Sequence, residues 1–217
     1  MDTETTGFNE AGGDRIVEVG IVELVGRKFT GNILHVYINP EKHMDDAVIQ
    51  VHGISNAFVA DKPKFAEVAQ QIYEFMAGSE VIAHNAAFDM KFLNMEFNRA
   101  GLSNFANSVK VTDTLALAKQ MYPGQKNSLD ALVKRLGVGQ KDRTFHGALL
   151  DSEILAEVYL AMTGGQIAMA IDDDNTGGSN TRSTGSAFYD LSQYADSLAL
   201  SESDIEADAL WRAKVLS

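Results

Sequence analysis

The order of strand-like and helix-like segments is the feature that most restricts the folds open to this chain. Residues Arg15–Leu24 and Ile33–Ile38 are rich in β-branched residues with partial alternation, which predicts two strands. Gly26–Gly31 between them predicts a hairpin loop. With a further strand at the N-terminus, the chain is expected to begin with three strands in a meander.

From residue 63 onward, apolar residues at helical spacing alternate with short strand-like runs. The predicted helices are Pro63–Ala77, about Phe88–Ala100, Thr112–Met121, Ser128–Leu136 and Gly147–Met162, and the predicted strands are Val81–Ala83 and Val109–Val111. Strands followed by helices that alternate with strands predict an α/β domain over residues 1–163, with a mixed five-stranded sheet flanked by helices.

Composition excludes several classes of protein. The 217 residues are 45% hydrophobic and 22% charged, as in ordinary globular proteins, and no run approaches the ~18 apolar residues of a membrane span. Without cysteine, neither a disulfide framework nor a thiolate metal site can form. The acidic, polar start does not resemble a signal peptide, so a cytoplasmic protein with no membrane partner is expected.

The net charge of −12 limits how the chain can meet nucleic acid. Residues 1–163 carry 15 Lys and Arg against 21 Asp and Glu, and residues 164–217 carry 3 against 9, so each part contributes −6. An acidic protein gains no general electrostatic attraction to DNA. If the substrate is nucleic acid, a partner must deliver it or bound metals must invert the local field.

Asp2 and Glu4 form the first chemical signal, a D-x-E pair on the predicted N-terminal strand. Residues i and i+2 of a strand project from the same face, so the two carboxylates lie close together. Like charges at that distance are unfavourable unless a proton or a cation lies between them. The pair therefore indicates a site for a hard divalent ion. The alternative is a pair of surface acids on a frayed terminus.

Three further residues qualify as site candidates by their positions. Asp89 follows the fourth strand near a helix N-terminus, where a carboxylate is favoured, and a capping role is its alternative. Asp151 borders an apolar helix face, where an acid needs a partner or a metal. His146 directly precedes that helix, and taken alone it would more simply be a structural histidine.

Taken together, these motifs resemble those of the DEDDh 3′→5′ exonucleases, and within that family the proofreading epsilon subunits of bacterial DNA polymerase III. The resemblance rests on five stretches, at residues 2–7 (Asp-Thr-Glu-Thr-Thr-Gly), 51–54 (Val-His-Gly-Ile), 83–89 (Ala-His-Asn-Ala-Ala-Phe-Asp), 143–151 (Arg-Thr-Phe-His-Gly-Ala-Leu-Leu-Asp) and 157–166. It covers about residues 2–171 and implies an RNase H-like fold. It also implies hydrolysis of the terminal phosphodiester of mispaired DNA 3′ ends.

The resemblance implies a role for each candidate residue. Two Mg²⁺ or Mn²⁺ ions would be bound by Asp2, Glu4, Asp89 and Asp151. His146 would be the general base. Substrate would be contacted by Asp2, Glu4 and Asp151, by Val51 and His52 as a wedge beside the terminal base, and by Asn85 in the nucleotide pocket. Asp113 resembles a further, supporting acid, and its alternative is a hydrogen bond at the end of a strand.

The sequence changes character after the predicted domain. Residues 164–171 resemble the family's sliding-clamp-binding peptide through Gln166, Met169 and Ile171, although a helix end would also explain them. Residues 172–187 read as a flexible linker. Residues 188–217 predict a segment that docks on the polymerase III alpha subunit, with folding back on the domain as the alternative. A small theta-like subunit is a further possible partner, and the expected place is the bacterial replisome at the nucleoid.

Two other functions compete with proofreading. One is RNA trimming by an exonuclease of the RNase T or oligoribonuclease kind, which has no need of the linker and docking segment. The other is a non-catalytic scaffold that bridges clamp and polymerase, which the full set of candidate catalytic residues disfavours.

The first strand departs from the family pattern. In the family several apolar residues precede the D-x-E, whereas here only Met1 does. Either the first strand is short, or Met1 is an internal residue of a longer strand.

Overall fold

The computed structural model describes residues 1–139 and 146–164, and it begins with a strand only four residues long. This strand, β1 (Asp2–Thr5), pairs antiparallel with β2 (Ile16–Val25), which in turn pairs antiparallel with β3 (Lys28–Tyr37). The predicted meander is therefore confirmed. The residues of β1 alternate between half-buried and buried, because one face of the strand packs on the core while the other carries the acids, whereas the first six residues of β2 are all buried.

The hairpin between β2 and β3 is tighter than expected. The prediction of a loop over Gly26–Gly31 is wrong, because only Gly26 and Arg27 form the turn and Val25 pairs with Lys28. Both turn residues have positive φ, 54° and 65°, as a two-residue turn of a twisted hairpin requires. Glycine in the first position makes this turn accessible, and the remaining polar residues then extend β3.

The rest of the described chain alternates helices and strands as predicted. The helices are α1 (Asp46–His52), α2 (Asn56–Val59), α3 (Phe65–Met76), α4 (Ala86–Arg99), α5 (Phe105–Ser108), α6 (Thr114–Met121), α7 (Leu129–Leu136) and α8 (Ala148–Gly164), and the later strands are β4 (Glu80–Ala83) and β5 (Lys110–Asp113). The predicted helices form with ends shifted by at most two residues. The helices α1, α2 and α5 were not predicted, because four to seven residues are too few to show a helical period.

Hydrogen bonding divides the five strands into two sheets. One has the order β1–β2–β3, and the other is the parallel pair β4–β5. The two meet where the amino group of Met1 donates to the carbonyl of Ile82 in β4, at 2.8 Å. Met1 directly precedes the short strand β1, so the described strands have the predicted mixed arrangement but do not form one continuous ladder.

Helices cover β1 and β2 from both faces. α8 packs on the face that carries Gly20, and a Cβ built on Gly20 would lie 2.3 Å from the backbone of Ala148. The missing side chain therefore lets the helix backbone approach the strand closely. On the other face, Glu96 of α4 is buried and forms a two-pronged ion pair with Arg15, at 2.6 and 2.8 Å, which ties α4 to the start of β2.

The remaining sequence predictions fall outside the described residues. They are the clamp-binding peptide with Gln166, Met169 and Ile171, the linker 172–187 and the docking segment 188–217. Among the residues that the structure does describe, none of the helices has the length and apolar character needed to span a membrane.

Candidate active site

The first two acids lie on one face of β1, as their spacing predicts. Asp2 pairs with Gly20 and Glu4 with Glu18 in the antiparallel register, so these four residues share the face on which α8 packs. Both acids of β1 are half-buried, whereas Thr3 between them is buried on the opposite face. The strand thus presents two carboxylates at the boundary between core and solvent.

Asp89 reaches the same strand from the opposite face. It lies in the first turn of α4, and its Oδ1 accepts a hydrogen bond from Oγ1 of Thr3 at 2.7 Å. Burial raises the pKa of Asp89 to about 6, although the Thr3 hydrogen bond acts in the other direction. A buried carboxylate of this kind gains stability from a proton or a cation.

The charges of the other three predicted acids all act on Asp2. The pKa of Asp2 is raised well above its ordinary value, first by burial and then by the charges of Asp89, Glu4 and Asp151. The amino group of Met1 offsets part of this rise. Four carboxylates from β1, α4 and α8 therefore act on one another within a single site, and their mutual repulsion favours a bound cation.

Glu4, His146 and Asp151 form the tightest group in the site. One ligand atom from each lies within 4.8 Å of the others. Nδ1 of His146 lies 3.2 Å from Oδ2 of Asp151, and the imidazole is 47% exposed while the aspartate is buried. Carboxylate oxygens are the donors that hard divalent cations prefer, so the residues present fit Mg²⁺ or Mn²⁺.

An apolar cavity of about 160 Å³ opens beside these acids. It is lined by Thr3, Glu4, Thr5, Gly7, Phe8, Ala47, Val48, Val51, His52 and Phe88. Val51 is 48% exposed, whereas His52 is buried, accepts the Ile54 amide on Nδ1, and has a pKa lowered by burial. The two predicted wedge residues therefore differ, since Val51 faces solvent whereas His52 is buried.

α1 also supports the histidine of the site. The carbonyl of Val51 accepts a hydrogen bond from the backbone amide of His146 at 3.1 Å. The last turn of α1 is thereby joined to the segment that leads into α8. α1 was not predicted, so this contact could not be foreseen from the sequence.

Two aromatic residues that line the cavity, Phe8 and Phe88, were not predicted from the sequence as site residues. Phe8 is 82% exposed, and its ring centroid lies 6.2 Å from that of Phe88 in α4. A phenylalanine so exposed in a soluble domain is unusual, because burial of its ring would be favourable. Its place directly after Gly7 and the D-x-E pair is the signal that could have identified it.

Asn85 and Asp113 lie together at the ends of β4 and β5. Asn85 is exposed and adopts the left-handed conformation, with φ of 68°, immediately before α4. Oδ1 of Asp113 accepts the backbone amides of Asn85, at 3.0 Å, and of Leu115, at 2.9 Å. These contacts are those of a residue that ends a strand and caps α6, which supports the structural alternative for Asp113.

A larger cavity, of about 410 Å³, lies elsewhere, between the end of β2, β4 and α8. None of the predicted site residues lines it. Choosing the active site by cavity volume alone would therefore have selected a cavity away from the acids.

Comparison with known proteins agrees with this geometry. The family model described as exonuclease, of the RNase T type, matches residues 1–159. The DNA polymerase III subunit epsilon of Pasteurella multocida is 51% identical over 174 residues, covering 78% of this chain and 69% of that protein. The Escherichia coli subunit of the same name is 50% identical over 176 residues, covering 78% and 72%.

Solved structures give the same result for the fold. Exonuclease X in complex with 5′ overhanging duplex DNA is 28% identical, with a TM-score of 0.58 over 76% of this chain and 89% of that one. The nuclease domain of 3′hExo, a DEDDh family member bound to rAMP, is 20% identical and supports the fold alone, with a TM-score of 0.64 over 79% and 94%. The chain therefore belongs to the exonuclease family, as a divalent-metal-dependent DEDDh 3′→5′ proofreading exonuclease of the DNA polymerase III epsilon kind.

Proposed function

We propose that the chain removes mispaired nucleotides from DNA 3′ ends with two Mg²⁺ or Mn²⁺ ions held by the four acids. The observation that carries this proposal is that ligand atoms of Glu4, His146 and Asp151 lie within 4.8 Å of one another, while Asp2 and Asp89 lie at the same short strand β1. When bound, such ions stabilise charge on the scissile phosphate and make water a stronger acid. Asp2, Glu4, Asp89 and Asp151 would hold these ions through their carboxylate oxygens.

His146 serves as the general base in this proposal. Its Nδ1 faces Asp151, so the ring is oriented by a buried carboxylate and Nε2 is the nitrogen that takes a proton from the attacking water. Its half-exposed position lets the imidazole pass that proton on to solvent.

The apolar cavity receives the terminal nucleotide. Val51, Phe8 and Phe88 offer apolar surface next to Glu4, which suits a base whose sugar–phosphate end meets the acids. Stacking on aromatic rings tolerates every base, as a proofreading enzyme requires. A frayed, single-stranded 3′ end fits this arrangement better than a paired one, and Asn85, directly before α4, is the further residue proposed to contact the nucleotide.

The partners follow from the charge and from the relatives. An acidic subunit needs a polymerase to deliver DNA, and the matched relatives are named as subunits of DNA polymerase III. The alpha subunit would bind residues 188–217, and the sliding clamp would bind residues 166–171 through Gln166, Met169 and Ile171. A small theta-like subunit is a further candidate. The place of action is the replisome in the bacterial cytoplasm.

The decisive experiment measures release of nucleotides from matched and mismatched DNA 3′ ends and from single-stranded RNA. With Mg²⁺ or Mn²⁺ the parent should prefer mismatched DNA, and EDTA should abolish release. Asp2→Asn, Glu4→Gln, Asp89→Asn and Asp151→Asn should each lower turnover by about 10²-fold or more. Asp113→Asn is the matched control and should stay near the parent value. Preference for RNA, or near-parent turnover by two of the four variants, would overturn the proposal.

A further inference from the structure

Glu18 is a buried acid beside the site that the mechanism above does not use. It lies in β2 directly opposite Glu4 and is only 2% exposed. A carboxylate removed from water to this extent is costly unless hydrogen bonds satisfy both of its oxygens. Its partners therefore indicate what the residue does.

Both oxygens of Glu18 are engaged, on two sides. Oε1 lies 2.6 Å from Nε2 of His35 in β3, and Oε2 accepts the backbone amide of Ala148 at 3.1 Å. The pKa of Tyr37 is raised by burial and by the neighbouring Glu18 carboxylate. Glu18 thus connects the outer strand of the sheet to the first residue of α8.

The hydrogen bond to Ala148 is made at the start of α8, next to two residues of the site. Ala148 is the first residue of α8, His146 lies two residues before it, and Asp151 lies three residues after it. The first amides of a helix have no partner within the helix, and a carboxylate there also interacts favourably with the helix dipole. One buried side chain therefore holds the segment that carries both residues.

A second contact fixes the same helix one turn further on. Oγ of Ser152 lies 2.7 Å from the carbonyl of Gly20 and 2.7 Å from the carbonyl of Ala148, so its single proton is shared between strand and helix, and the absence of a side chain at Gly20 allows the close approach. α8 is thereby held to β2 at two successive points, on either side of Asp151. The bond from Glu18 is the one nearer to His146.

We infer that Glu18 is a positioning residue, which fixes the start of α8 against β2 and so holds His146 and Asp151 at Glu4. This inference rests on the proposed function for its effect on turnover, but not for its effect on the helix. Glutamine should replace Glu18 with little loss. Its carbonyl oxygen can accept the Ala148 amide, and its amide group can donate to the other tautomer of His35.

Glu18→Ala removes the acceptor and leaves the Ala148 amide buried without it. The first turn of α8 is then expected to shift, because the orphaned amide seeks another partner. A displacement of about 1 Å at catalytic groups lowers turnover by up to roughly 10²-fold. The Michaelis constant for a short single-stranded DNA should change little, because the apolar cavity contains no part of Glu18.

The experiment compares the parent, Glu18→Ala, Glu18→Gln and Ile72→Ala. Ile72 is fully buried in α3 and none of the site contacts involves it, so its truncation controls for lost stability alone. At a temperature well below all unfolding midpoints and with saturating Mn²⁺, Glu18→Ala should lose about 10-fold to 100-fold in kcat with KM nearly unchanged. Glu18→Gln and Ile72→Ala should remain within about threefold of the parent.

Hydrogen exchange supplies a readout that does not depend on activity. The Ala148 amide should be protected in the parent and in Glu18→Gln, and exchange much faster in Glu18→Ala, with or without Mn²⁺. Unchanged protection in Glu18→Ala, unchanged kcat, or an equal loss of kcat in Ile72→Ala would each overturn the inference. A parent that releases no nucleotides from 3′ ends would instead refute the proposed function, and the exchange experiment would still decide the role of Glu18.

Discussion

At the scale of single residues, the site is built from acids that the fold buries fully or in part. Asp89 is buried, and Asp2 is surrounded by three other carboxylates. Both have raised pKa values, so in the absence of metal their ionised forms oppose folding. The same repulsion favours binding of a divalent cation, which links function to an intrinsic cost in stability.

This cost predicts an unusual pH dependence of stability. The folded-state pKa of Asp89 is about 6, above its ordinary 3.8. Its contribution to stability is therefore complete below pH ~4 and is lost as pH rises through ~6. In EDTA, Asp89→Asn should raise the unfolding midpoint at pH 8, because the amide accepts the Thr3 hydrogen bond without a charge, and should have little effect at pH 4.

Thermal unfolding in EDTA at the two pH values tests this prediction. Asp46→Asn is the control, because Asp46 is exposed at the start of α1. A lower midpoint for Asp89→Asn at pH 8 would mean that the charge of Asp89 is compensated within the metal-free protein.

His146 permits a test that separates a base from a ligand. His146→Ala should lower turnover by about 10²-fold to 10⁴-fold, in line with loss of a general base. Mn²⁺ binding, measured by calorimetry, should persist because the four carboxylates remain. Loss of Mn²⁺ binding would identify His146 as a ligand, which its proximity to Glu4 and Asp151 also allows geometrically.

At the scale of elements, the site depends on how closely two helices approach one short strand. α4 is held by the buried Arg15–Glu96 ion pair, and α8 is held by contacts to Glu18 and Gly20 of β2. We therefore expect these contacts to fix the positions of Asp89 and Asp151 relative to β1.

Gly20→Ala tests the closeness of the α8 contact. The added Cβ would lie 2.3 Å from backbone atoms of Ala148 and Leu149, so the helix must move away from β2. Overpacking of this kind costs about 1–3 kcal/mol. Turnover should fall as well, because Asp151 moves with the helix.

Denaturant unfolding and a nuclease assay would measure both effects. Gly31→Ala is the control: its φ of 85° makes alanine strained, but a Cβ there meets nothing within 4 Å and the hairpin is remote from the acids. Gly31→Ala should thus lose stability and keep its activity. Full activity in Gly20→Ala would show that α8 has room to move.

At the scale of the whole molecule, the negative net charge means that the chain can catalyse hydrolysis but gains little affinity for DNA. A protein with a net charge of −12 gains little from the DNA backbone, so a partner must supply that affinity. We predict a flexible linker over residues 172–187, for which an r.m.s. span of roughly 20–25 Å is expected. A tail bound to the polymerase would then leave the nuclease domain free to reach a frayed end.

Removal of residues 188–217 should separate nuclease activity from binding to the polymerase. Turnover on short single strands should be unchanged, while association with the polymerase alpha subunit should be lost. Size-exclusion chromatography with purified alpha subunit would measure the second effect. The double variant Gln166→Ala, Met169→Ala is the companion, and it should weaken binding to the sliding clamp alone. Retained association of residues 1–171 with the alpha subunit would contradict this division.

The sequence by itself determined the order of the strands and of the longer helices, and the residue types of the site. Alternation in Arg15–Leu24 and helical spacing after residue 63 are local properties, so they predict β2 and the longer helices directly. The D-x-E spacing places Asp2 and Glu4 on one face of a strand for the same reason. The exonuclease family also followed from local motifs around Asp89 and Asp151.

Only the tertiary structure decided which distant groups meet. The contacts from Glu18 to Ala148 and from Thr3 to Asp89 join residues 130 and 86 positions apart. No local periodicity encodes such pairs, because they depend on how closely helices pack on both faces of β1. The exposure of Phe8 and the burial of His52 were equally out of reach, since solvent exposure is a property of the assembled fold and not of a residue's neighbours in sequence.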